Sequence, residues 1–118
     1  MLKFKKWNIY ILSRDLTVHT YILINTFPPE EKYALCAQIR RSLISVSSNF
    51  VEGISRFSKK DKIHFLNMSY SSLMEVACQI DTANGLGYVT DDELKEFEKM
   101  VNTLGIKISN FINSLKKE

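Results

Sequence analysis

Between Leu94 and Leu115 the apolar residues fall at intervals of three and four without a break: Leu94, Phe97, Val101, Leu104, Ile108, Phe111 and Leu115. This heptad seam belongs to coiled coils and helical bundles. Thr90-Asp91-Asp92-Glu93 precedes it as a capping box, with Thr90 as N-cap and Glu93 reaching back. A second seam runs through Ile63, Leu66, Tyr70, Leu73, Ala77 and Ile80, behind a second capping signal at Ser58 to Asp61. The 118 residues include only 4 Gly and 2 Pro, too few turn residues for an all-β domain.

Pro28-Pro29, Ser58 and the stretch from Gly85 to Thr90 divide the rest. The pattern predicts a single all-α domain over 1–118, an up-down-up-down antiparallel four-helix bundle. Its helices are expected at about 9–26, 29–57, 59–85 and 91–116. In the first, Leu12, Leu16, His19 and Leu23 are expected on one face. Tyr21 to Ile24 is apolar all round, which asks for burial on a second side and points to contact with another subunit. The second carries an apolar line at Leu35, Ile39, Leu43, Val46, Phe50 and Ile54. Gly105 interrupts the last helix, which a close helix crossing would explain.

No apolar run approaches a membrane span, and no secretory leader is apparent at the N-terminus. Cys36 and Cys78 have no metal-ligand spacing, so two buried thiols in a reducing cytoplasm are expected. His19 on the apolar face reads as a hydrogen-bonded core histidine, and His64 as a surface residue. Nothing supplies a phosphate-cradling loop, a nucleophile motif or a di-metal Glu-x-x-His pair. The expectation is a non-enzyme without cofactor or metal.

Several polar residues stand out on the long second and third helices. An antiparallel hairpin turning near Ser58 brings Arg40 level with Glu75. They form either a solvated pair or a desolvated bidentate pair that fixes register. Ser45, Asn49, Glu52, Gly53 and Arg56 share one stripe, with Glu52 and Arg56 a favourable i,i+4 pair. That stripe is either a solvated face or a contact surface for another helix.

The segment from Gln38 to Arg56 matches a pattern with Arg40, Arg41, Ser45, Asn49, Glu52 and Gly53 in place. Ser72, Leu73, Glu75 and Gln79 continue it. The chain thereby resembles the four-helix bundle proteins encoded in intervening sequences of bacterial large-subunit ribosomal RNA genes. Ser47 and Ser71 replace a proline and a glycine of that pattern, and Tyr10 stands where an aromatic is typical. The resemblance implies a ring-forming bundle, a homopentamer. A related branch, the accessory protein of diversity-generating retroelements, binds nucleic acid and a reverse transcriptase through basic surface. The intervening-sequence branch brings no activity with it.

The formal charge of +3 conceals a division along the bundle. One end collects Lys3, Lys5, Lys6, Arg56, Lys59, Lys60, Lys62, Lys116 and Lys117 against Asp61 and Glu118. The other collects Glu30, Glu31, Asp91, Asp92, Glu93 and Glu96 against Lys32 and Lys95. The basic end suits RNA or DNA phosphates, with Trp7 and Phe57 available to stack on unpaired bases. It equally suits solubility, with the two aromatics sealing the bundle end. Two functions follow from the sequence: a nucleic-acid-binding ring, or an oligomeric scaffold for a partner protein.

Overall fold

The computed structural model describes residues 2–118. It is a four-helix bundle of 46 × 24 × 23 Å. The helices are α1 (Asn8–Ile24), α2 (Leu35–Ser55), α3 (Lys59–Gly85) and α4 (Asp91–Lys116). Each packs on two neighbours, α1 on α2 and α4, and α3 on α2 and α4. The α2–α3 hairpin makes the most extensive of these interfaces.

Local chemistry explains the helix limits. Thr90 and Glu93 form the reciprocal capping box at the start of α4. Ser58 accepts from the Asp61 N–H at the start of α3. To serve as that cap Ser58 is extended, as is Arg56, so α2 stops at Ser55. At its other end α2 starts six residues later than the expected position 29. Pro29–Glu31 form only a single 3-10 turn, and Ala34, at φ −112° and ψ −101°, separates it from α2. Proline favours such a first turn, but the chain leaves the helical region before propagating it.

The core is built around Ile39, Leu43, Val46 and Phe50 of α2, with Leu66, Leu73, Val76 and Ile80 of α3. Leu16 of α1 and Phe97, Leu104 and Ile108 of α4 close it. Two expected seams are rotated. In α1 the inward face is Ile9, Ser13, Leu16, Thr20, Leu23 and Ile24, leaving Leu12 and His19 half-buried. The Ser13 and Thr20 hydroxyls donate to the Tyr10 and Leu16 carbonyls of their own helix, so they enter the core with their hydrogen bonds satisfied. In α3, Ser69, Val76 and Ala83 face inward, Ala77 is half-buried and Tyr70 lies at the surface. Small residues on that face bring α2 and α3 together.

Gly53 of α2 lies tight against α3. A β-carbon there would lie 3.3 Å from Leu66 Cγ, the Lys62 carbonyl oxygen and Phe65 Cβ. Gly105 is buried against α3, but a β-carbon there would meet Leu73 and Tyr70 at 3.6 and 3.7 Å, ordinary contact. The close crossing thus belongs to Gly53 and not to Gly105.

Candidate nucleic-acid interface

Three chain segments meet at the basic end. A 3-10 turn at Lys3–Lys6 precedes α1, the α2–α3 connection and the first turn of α3 carry Arg56 to Lys62, and α4 finishes at Lys116. Trp7 locks the first segment down, its ring centroid 5.8 Å from Phe50 and 5.2 Å from Phe111. Lys59 Nζ donates to the main-chain oxygen of Glu118 at 2.6 Å and so joins α3 to the end of α4. Lys3, Lys5, Lys6, Lys59, Lys60, Lys116 and Lys117 are all exposed.

Three of the nine cations are engaged within the fold, Lys59 through its bond to Glu118 and two more through others. Arg56 pairs with Glu52 one turn back, and its guanidinium carbon lies 4.7 Å from the Phe65 ring centroid. Lys62 Nζ donates at 3.3 Å to the carbonyl of Ile54, one of the last carbonyls of α2. Beside them Phe57 is fully exposed, a large apolar ring with no cover. Of the two aromatics, Trp7 seals the bundle end in part and Phe57 does not.

The structure adds residues that the charge tally passed over. Lys6, Trp7 and Asn8 face Lys107, Asn110 and Phe111 across an open groove of about 570 Å³ between α1 and α4. Lys107 sits more than two turns before the end of α4. Counting charge by nearness to the helix ends therefore omits it.

The motif residues serve the hairpin in several ways. Arg40 does not meet Glu75, which is exposed; its Nη2 donates to the Lys32 carbonyl at 2.9 Å. Because α2 begins only at Leu35, that carbonyl lacks a helical donor, and Arg40 supplies one from two turns along. Ser45 and Asn49 are half-buried, with Asn49 Nδ2 donating to the Ser45 carbonyl at 2.9 Å. Gly53 is the part of the stripe pressed on α3, while Glu52 and Arg56 form a surface pair. Ser72 is buried at the hairpin, and Gln79 Nε2 donates to the Ser42 hydroxyl at 3.2 Å. Arg41 is exposed.

The cysteine and histidine expectations need correction. Cys36 is buried and Cys78 exposed, because the inward face of α3 passes through Val76 and Ile80. His19 is no core residue; it lies half-buried at the rim of a cleft with Ile22, Thr26, Glu93 and Glu96. Among the described residues no group of three or more His, Cys, Asp or Glu gathers in metal-binding geometry, and no helix is long and apolar enough to cross a membrane.

Comparison with known proteins places the chain. No curated protein is significantly similar to it. A crystal structure of a Bacteroides thetaiotaomicron protein of unknown function, from the S23 ribosomal protein family, superposes with a TM-score of 0.80. The two are 17% identical over 89% of this chain and 95% of the other, a likeness of fold. The sequence pattern of the 23S rRNA-intervening sequence proteins matches residues 5–110. The chain therefore belongs to the 23S rRNA-intervening sequence protein family.

Proposed function

We propose that this chain is a cytoplasmic, non-catalytic bundle that assembles as a homopentameric ring and binds RNA or DNA through its basic end. The observation that carries the reading is Phe57. It stands fully exposed in the α2–α3 connection, next to Arg56 and two and three residues from the exposed Lys59 and Lys60. An uncovered aromatic among cations is the arrangement with which proteins hold unpaired bases and their phosphates. The ring is supported by the outer face of α1, where Ile11, Val18 and Ile22 are exposed at helical spacing. In a ring of parallel bundles the lysines of each copy line one rim.

Fluorescence anisotropy with labelled single-stranded RNA and DNA tests the binding. Affinity should fall steeply as salt is raised, because phosphate contacts release counterions. Absence of binding at low salt rejects the reading. Light scattering tests the ring: a monodisperse species of 13.7 kDa rejects it. The exposed α1 face also favours a second reading, an oligomeric scaffold whose partner is a protein. Binding that maps to α1 and ignores salt selects it.

A further inference from the structure

The opposite end of the bundle holds a feature that nucleic-acid binding does not use. Between the last turn of α1, the proline turn and the first turns of α2 lies a cavity of about 330 Å³. That is the size of a small-molecule pocket. Ile24, Phe27 and Pro28 supply apolar wall, and Tyr21, Asn25, Lys32 and Arg40 supply polar groups.

Two of those polar groups are cations without an acid. Arg40 is half-buried and spends one N–H on the Lys32 carbonyl, which leaves the rest of its five-donor fork free of carboxylate. Lys32 Nζ lies 5.4 Å from the Tyr33 ring centroid. The only ion pair among the described residues is Glu52–Arg56, at the other end of α2. Buried Cys36 also borders the cavity. Burial raises its thiol pKa, and the nearby Arg40 charge opposes that rise. A partly desolvated guanidinium gains most from an anion that restores its lost hydration.

We infer that this cavity binds an organic monocarboxylate, its carboxylate held by Arg40 and Lys32 and its apolar body against Ile24, Phe27 and Pro28. The planar guanidinium matches a carboxylate through two parallel N–H donors, and the lysine adds a point charge. The choice of a monoanion follows from the surroundings. Glu30 and Glu31 follow in the same turn, and Asp91, Asp92 and Glu93 begin the helix at this end. Their field opposes a dianion such as phosphate more than a single charge with an apolar body. The carboxylate has two sources, a free small molecule or an acidic side chain of a second copy.

The full chain is titrated with benzoate, and separately with inorganic phosphate, followed by amide NMR shifts and light scattering. Saturable shifts confined to residues 21–40 are expected with benzoate, with phosphate at least about tenfold weaker. Arg40→Gln and Lys32→Gln should each weaken benzoate by about tenfold or more. Lys32→Gln retains the main-chain carbonyl that Arg40 uses, so it separates lost recognition from a disturbed turn. If benzoate instead dissociates an assembly, and both variants dissociate it too, the site stands with its carboxylate supplied by a second copy. The inference is overturned if about 10 mM benzoate produces neither effect, if phosphate binds as well, or if Lys32→Gln behaves like the parent.

Discussion

The Ser69 hydroxyl donates a 2.6 Å hydrogen bond to the main-chain oxygen of Val46, and both residues are buried. The bond crosses from α3 to α2 in the middle of the hairpin. It lets a small polar residue replace an apolar one where the helices come close. Ser69→Ala keeps the fit and deletes the bond, while the Val46 carbonyl retains its helical partner. A loss of about 1 kcal/mol is expected in urea unfolding. An unchanged midpoint would show that the bond contributes nothing net.

The two buried glycines should respond with opposite signs. Gly105→Ala places its methyl in ordinary contact with Leu73 and Tyr70 and gains about 1 kcal/mol of helix propensity. Thermal unfolding should rise by several degrees. Gly53→Ala meets the Lys62 carbonyl oxygen and Phe65 Cβ at 3.3 Å, atoms fixed to the α3 backbone. Relief requires α3 to move, so this variant should unfold at lower temperature despite the same propensity gain. Stabilisation by Gly53→Ala would mean that the hairpin yields easily.

Tyr88 ties the two connections of the acidic end together, donating from its hydroxyl to Glu31 Oε2 at 3.1 Å. That bond, with some burial and the charges of Glu31 and Glu30, raises the phenol pKa above its usual value. The folded state therefore holds the proton more tightly than the unfolded chain. The stabilisation is complete below the unfolded pKa, about 10, and is lost as pH rises through the higher folded value. Tyr88→Phe should flatten that part of the alkaline loss. Urea unfolding of parent and variant from neutral to alkaline pH checks it, and parallel curves would contradict it.

Phe57→Ala should leave folding within about 0.5 kcal/mol of the parent, since the ring is fully exposed. If the basic end stacks bases, the same change should weaken single-stranded binding by about 1–3 kcal/mol with little effect on the salt dependence. Lys60→Gln should do the reverse, lowering the salt slope by about one and affinity only modestly. Anisotropy titrations at several salt concentrations separate the two. Equal behaviour of both variants would leave Phe57 without a stacking role.

The architecture was legible because its signals are local. The capping box at Thr90 and Glu93 and the cap at Ser58 each involve a few consecutive residues, and both form as their spacing requires. The Glu52–Arg56 pair is local in the same way. The candidate interface was legible in part. The lysines at the termini and at the α2–α3 turn are visible as runs of charge, whereas Lys107 joins the Trp7 groove only because α1 packs on α4.

By itself, then, the sequence determined four helices, the N-caps of the last two and the division of charge between the two ends. These depend on periodicity, turn residues and chain direction. Tertiary structure alone decided how each helix is rotated about its axis. Neighbouring positions on a helix differ by about 100°, so a small rotation exchanges one face for the next. That choice rests on partners distant in sequence: small residues where α2 meets α3, and hydroxyls satisfied within α1. It turned Ser13, Thr20 and Ser69 inward and left Cys78 in solvent. The late start of α2 likewise sent Arg40 to a main-chain carbonyl instead of Glu75.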